Sequence, residues 1–156
     1  MCRSGGATLI ELVMVMTILG IVTIVVLPRL ENSTAFRAVA FRDQVVSALR
    51  YAQKSAVSHH RLVCAEVAAS TVTLSIASTN PASACTAILN RGQDPAYARS
   101  DYPADASASL SPAGILHFQP SGVVSADAAG TAITDYRVTV TGMTPITLSG
   151  ATGYVE

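Results

Sequence analysis

Three groups of side chains in this sequence could do chemistry: an acid set inside an apolar run, a set of cysteines, and three histidines. Between Leu9 and Leu27 the apolar run is interrupted only by Glu11, Thr17, Gly20 and Thr23. An acid near the edge of a bilayer costs less than the roughly 2.5 to 3.5 kcal/mol charged at its centre, yet it remains unfavourable without a partner. A cut between Gly6 and Ala7 would create an α-amino group four residues before Glu11. That amine and the positive end of the helix could together neutralise the carboxylate. The same cut would remove Cys2 and turn an odd cysteine count into the pair Cys64 and Cys85. A lone pair closing a loop of about twenty residues reads as a disulfide, typically worth about 2 to 4 kcal/mol, in an oxidising compartment. Two separate buried thiols are the other reading of that pair.

The histidines suggest less. His59, His60 and His117 have no nucleophile motif nearby, and the serines sit in low-complexity sequence, so an enzyme is not expected. Adjacent His59 and His60 point in different directions on a helix and lack an acid or cysteine set, and no phosphate loop or zinc spacing is present. The expectation is no metal and no cofactor. Ten basic and ten acidic residues leave a net charge of +0, with no bias toward phosphate backbones, so nucleic acid is not favoured as a partner.

The elements that must position Glu11 and the cysteines follow from the distribution of apolar residues. The chain has 156 residues, enough for one small domain, and its 50% hydrophobic content peaks in the first thirty positions. About nineteen apolar residues at 1.5 Å rise span roughly 28 Å, which matches a bilayer core. A secretory signal peptide needs a shorter run and a small-x-small site beyond it, and Leu27-Pro28-Arg29-Leu30 offers none. An ordinary signal anchor is the other reading, and the residues around Gly6 and Glu11 weigh against it. Cys2 precedes the run, which excludes a lipoprotein signal. Arg3 on one flank faces Arg29 and Arg37 on the other, so the charge rule does not orient the span.

Gly20 and Pro28 are the weak points of this first helix, because glycine costs about 1 kcal/mol relative to alanine and proline removes a backbone hydrogen bond. Beyond Pro28, Asn32-Ser33-Thr34 either renews the helix with a side-chain cap or tolerates a continuous one. Phe41, Val45, Ala48, Ala52 and Ala56 then recur at spacings of three and four, with Arg37, Asp43, Arg50 and Lys54 elsewhere around the wheel. That is an amphipathic helix with a stripe to bury against a sheet, ending at His59-His60-Arg61. Five strands are predicted at 62–67, 71–77, 115–119, 136–141 and 146–148, with clear alternation in 71–76 and 137–141. Between them, 78–114 reads as one long loop, whose part from Asp94 to Pro112 is the expected variable surface. The resulting organisation is a leader at 1–6, a transmembrane half-helix at 7–28, an amphipathic half at 29–60 and a β domain at 61–156. The fold class is α+β, a long N-terminal helix packed on an antiparallel sheet.

The stretch Gly6-Ala7-Thr8-Leu9-Ile10-Glu11-Leu12 resembles the start of the type IV pilin and pseudopilin family, whose leader ends in Gly before a Thr-Leu-Ile-Glu-Leu type segment. The resemblance implies the pilin fold, cleavage after Gly6 by a prepilin peptidase and N-methylation of the new terminus at Ala7, where the family usually has Phe. It implies that Glu11 pairs with a neighbouring subunit's terminal amine during assembly, and that Gly20 and Pro28 bound a segment able to bend or melt in a filament. The implied partners are other pilins or pseudopilins through the N-terminal helix, the peptidase and the inner membrane. The implied location is single-pass in that membrane, with the C-terminal domain periplasmic, and then in a filament. Phe118-Gln119-Pro120-Ser121-Gly122, the strand at 136–141 and the ending Ile146 to Val155 are similar to the GspH/FimT branch of minor pilins and pseudopilins, closest to MshC-type subunits of mannose-sensitive haemagglutinin pili. A minor pilin of such a pilus is the function implied first, and a type II secretion pseudopilin H-like subunit the second. A FimT-type DNA-uptake receptor is the rival of another class; such proteins use arginines near the C-terminus, and this chain has none after Arg137.

Overall fold

A computed structural model describes residues 8–31, 34–89, 94–101 and 103–156. Cys2, Gly6, Ala7, Asn32 and Ser33 lie outside the described residues. The chain divides into two compact units, Met1–Ser33 and Thr34–Glu156.

The first unit holds one helix, α1 (Leu9–Glu31), of 23 residues. Gly20 and Pro28 both fall within it, and neither ends it. A Cβ placed on Gly20 would meet nothing within 4 Å.

The second unit opens with α2 (Thr34–His59). Its buried residues Ala38, Phe41, Val45, Ala48, Leu49, Ala52 and Ala56 form the stripe expected from spacings of three and four, widened by Leu49 and Ala38. The helix ends in a Schellman arrangement: the His60 N–H donates to the Val57 carbonyl at 3.4 Å and the Arg61 N–H to the Ala56 carbonyl at 3.2 Å. The turn requires a left-handed residue, and His60 supplies it at φ 52°, where glycine is the usual occupant.

Two antiparallel sheets follow. In the larger, β1 (Val63–Val67) is central between β2 (Thr71–Ile76) and β6 (Ile115–Phe118), with β7 (Val124–Ser125) beyond β6. The outer edge of β2 is shared by β3 (Ala87–Ile88) at one end and β4 (Ala96–Arg99) at the other, with a register shift between Val72 and Thr73. In the smaller sheet, β8 (Tyr136–Val140) lies between β5 (Ala108–Ser111) and β9 (Ile146–Leu148). Register places Val63 opposite Ile76 and Phe118, and Ala65 opposite Leu74 and Leu116. These rows face α2 and join its stripe in one core, to which Tyr136, Val138, Val140, Ile146 and Leu148 of the smaller sheet also belong.

The five expected strands are present, ending within a residue of their expected bounds. The segment 78–114 departs from its reading as a loop, because it contains β3, β4 and β5. Each is two to four residues long and rich in Ala and Ser, too short for a period of two to register and dependent on the partner edge for its hydrogen bonds. The free side of β4 is closed by side chains: the Arg99 N–H donates to Gln44 Oε1 at 3.2 Å and the Ala96 N–H to Asp94 Oδ1 at 2.9 Å. Both bonds blunt an edge that could otherwise pair with another strand.

Phe118 is a core residue and Gly122 a turn glycine at φ 92°, in the hairpin that closes with the Gln119 N–H donating to the Val123 carbonyl at 2.9 Å. Cys64 and Cys85 form a disulfide, with Cα atoms 6.0 Å apart across 21 residues. It ties the segment after β2 over the outer face of β1, where Leu62 and Ala77 are also buried. The same segment is held by Asn80 Nδ2, which donates to the His60 carbonyl at 2.8 Å. Past β7, the Asp127 carboxylate accepts bonds from the Ala132 N–H at 2.7 Å and the Thr131 hydroxyl at 2.8 Å. The backbone donor of Ala132 first, and Thr131 second, hold its pKa down at about 2.

Three outcomes follow from this packing. His60→Gly should raise stability by about 0.5 to 1 kcal/mol in urea unfolding, because it removes a left-handed non-glycine residue; a lower midpoint would show that the imidazole makes a compensating contact. Reduction, or Cys64→Ser with Cys85→Ser, should cost about 2 to 4 kcal/mol, read as a lower melting temperature without loss of the far-UV spectrum. The folded-state pKa of Asp127 is depressed, so its contribution is complete above the ordinary carboxylate value and is lost as pH falls toward about 2. Asp127→Asn should therefore melt below wild type at pH 7, and the gap should close as pH drops from about 4 to about 2.

Candidate assembly site on the first helix

Thr8 caps α1. Its side-chain oxygen accepts from the Glu11 N–H at 3.4 Å, and its carbonyl from the Leu12 N–H at 3.2 Å. Thr8-Leu9-Ile10-Glu11 has the Thr-x-x-Glu spacing of a capping box, so one acid serves the first turn by position alone. The partial positive charge of that turn favours a carboxylate there.

Every side chain described on α1 from Leu9 to Ile24 is exposed, with Leu9 at 83% and Ile24 at 76%. A helix that is apolar all round over its described side chains has no polar face to give to water. That apolar surface is described over about four turns, and among the described residues no helix is long and apolar enough to cross a membrane. Its threonines are arranged for an apolar setting: the Thr17 hydroxyl donates to the Met14 carbonyl at 2.8 Å and the Thr23 hydroxyl to the Leu19 carbonyl at 2.6 Å. Both polar groups are satisfied inside the helix. Glu11 differs. Among the described residues its carboxylate has no hydrogen-bond or ion-pair partner, and an ionised acid can only accept. What this arrangement can do chemically is receive a cation or a cluster of N–H donors from outside the unit.

Of the residues singled out in sequence, Glu11 and Gly20 lie on α1, Pro28 lies toward its end, and Cys64 with Cys85 lies in the second unit. Gly6 and Ala7, the leader junction, lie outside the described residues. Among the described residues no group of three His, Cys, Asp or Glu side chains could hold a metal ion.

Sequence reasoning missed how the C-terminal segment is held. From α2, Arg50 Nη2 donates to the Val155 carbonyl and Gln53 Nε2 to the Thr152 carbonyl, both at 3.0 Å. The tail returns along β9, where Thr147 and Glu156 exchange two backbone bonds. Gly153 makes the return possible at φ 66°, and a side chain there would run into Gln53 and the Gly122 carbonyl. The available signal was the pair Gly150 and Gly153 in the ending Ser-Gly-Ala-Thr-Gly-Tyr.

No known family model matches the chain, and no curated protein matches it in sequence. In three dimensions it is similar to the minor pseudopilin EpsH from the type 2 secretion system of Vibrio cholerae, with a TM-score of 0.53 at 11% identity over 77% of this chain and 94% of that one. A second EpsH crystal structure gives 0.51 at 8% identity, over 76% and 90%. The type IV minor pilin FimU of Pseudomonas aeruginosa gives 0.49 at 14%, over 75% and 89%. With α2 packed on antiparallel strands as in the EpsH structures, this chain has the type IV pilin-like fold.

Proposed function

We propose that the protein is a minor pilin or pseudopilin, a structural subunit that initiates or joins the tip of a type IV filament. The observation that carries this is α1 from Leu9 to Ile24: apolar on all sides and exposed, its hydroxyls satisfied internally and the one acid of that stretch, Glu11, left to an external partner. In this reading the run from Leu9 to Leu27 holds the subunit in the inner membrane before assembly, with the disulfide-bonded domain in the oxidising periplasm. A prepilin peptidase cuts after Gly6, the amine at Ala7 is methylated, and a neighbouring subunit's amine reaches Glu11 as the helices bundle. Pairing a carboxylate with an amine removes the cost of placing either in lipid. Gly20 and Pro28 provide the places at which the helix can bend within the filament.

A pilus of the mannose-sensitive haemagglutinin type is the first reading of the filament, on the resemblance of its C-terminal segments. The likeness to EpsH supports a type 2 secretion pseudopilus as the second. DNA uptake is not supported, since the segment after Arg137 carries no arginine or lysine.

The test is one experiment with two chains in a host that has its prepilin peptidase. Wild type should yield, on intact-mass measurement, a chain beginning at Ala7 and carrying one added methyl group. Glu11→Ala should be cut equally well, and its amount in sheared filaments should fall by about tenfold or more, as expected for an unpaired buried amine. An intact Met1 terminus in wild type would overturn the reading. Normal incorporation of the variant would remove Glu11 from the mechanism.

A further inference from the structure

The outer face of the smaller sheet carries a groove of about 550 Å³, within the size range of small-molecule sites. Its floor is one cross-strand row. Ser111 lies opposite Arg137, Arg137 opposite Thr147, and Thr147 opposite Glu156. At about 4.8 Å between strands, the row runs roughly 14 Å. Asp135 and Tyr154 stand two residues before Arg137 and Glu156, so strand alternation puts them on the same face. All six line the groove.

These side chains are little used by the fold. Asp135 Oδ1 accepts from the Gly150 N–H at 2.7 Å, which leaves its second oxygen. Among the described residues the side chains of Arg137, Tyr154 and Glu156 make no hydrogen bond or ion pair. Tyr154 is 62% exposed. The groove therefore offers, from these six residues, a planar five-donor fork, two carboxylates, three hydroxyls and one aromatic face, all unengaged or nearly so.

Charge selects among ligands. Two carboxylates in one groove with a single guanidinium disfavour an anion such as a phosphate or a nucleic acid, and the guanidinium disfavours a simple cation. A neutral ligand with adjacent hydroxyls satisfies both signs at once: its O–H groups donate to Asp135 and Glu156 and its oxygens accept from the Arg137 fork. The Tyr154 ring supplies an apolar surface for the C–H face of a sugar ring. We propose that this groove binds a neutral saccharide of two or three units. The site does not depend on whether the chain enters a filament.

The test uses the full chain in lauryldimethylamine oxide micelles, which contain no sugar, with maltotriose, cellotriose and triacetylchitotriose as probes. Saturation-transfer NMR should show transfer to at least one of them, with a dissociation constant on the order of 1 mM. The chain has no tryptophan and five tyrosines, so tyrosine emission should change on binding. Arg137→Gln and Tyr154→Ala should each weaken binding by about tenfold and leave the melting temperature unchanged. Absence of transfer from all three probes at about twenty times that constant, or binding that both variants retain, would overturn the proposal. Transfer to a mixed-charge Lys/Asp hexapeptide but to no saccharide would overturn it in favour of a peptide-docking face.

Discussion

The packing of one helix stripe against two sheets is the contact on which the second unit depends. α2 touches β1, β2, β4 and β6 of the larger sheet and β8 of the smaller one, so its apolar face is the shared floor of both. Alanines at 48, 52 and 56 come about once per turn and are fully buried. Small residues at those positions let the helix axis approach the strands closely, and Phe41, Val45 and Leu49 fill the space beside them. A larger side chain at one of these alanines would overpack the core they share.

Polar contacts from the flanks of α2 then decide what lies at each edge. Arg37 pairs with Asp105 at 2.9 Å and Arg42 Nε donates to the Thr144 carbonyl at 3.0 Å, while Arg50 and Gln53 hold the C-terminal carbonyls. These are bonds to backbone or to partly buried partners, worth more than exposed ion pairs such as Arg99 with Asp94. Their collective effect is topological. The held tail covers the open edge of β9, and the same placement brings Tyr154 and Glu156 into the groove that Arg137 lines. Gly150 is part of this arrangement: a Cβ there would overlap the Thr134 backbone, so the segments at Thr134 and Gly150, both bonded to Val124, could not lie as close as they do.

Legibility in the sequence followed how much of each element's pattern was carried by its own residues. The stripe of α2 was readable because Phe41, Val45, Ala48, Ala52 and Ala56 recur at helical spacing over several turns. The strands at 71–76 and 136–140 were readable because alternation repeats within each. β3, β4 and β5 were not, since each is shorter than the window that reveals a period and is specified by the edge it joins. The same holds for the contacts of Arg50 and Gln53, whose acceptors lie 105 and 99 residues away. On the first helix, Glu11 stood out because an acid in an apolar run contradicts its surroundings. The Thr8 cap beneath it, though spelled Thr-x-x-Glu, was masked by that stronger signal.

The two helices meet the burial problem in opposite ways, and the position of Glu11 follows from the difference. α2 has one apolar face and buries it within its own unit. α1 has no polar face, so whatever covers it must be apolar on every side, and each polar atom it carries must be satisfied within the helix or be met by the covering partner. Thr17 and Thr23 take the first course because a hydroxyl can donate to a carbonyl one turn back. A carboxylate cannot, since it only accepts and the helix interior has no spare N–H. Spare donors exist only in the first turn, where the dipole is also positive. Moved two turns along, the acid would face closed backbone and lose both. At position 11 the acid meets the spare N–H groups and the positive end of the dipole, which are the only compensation the helix itself can offer a carboxylate.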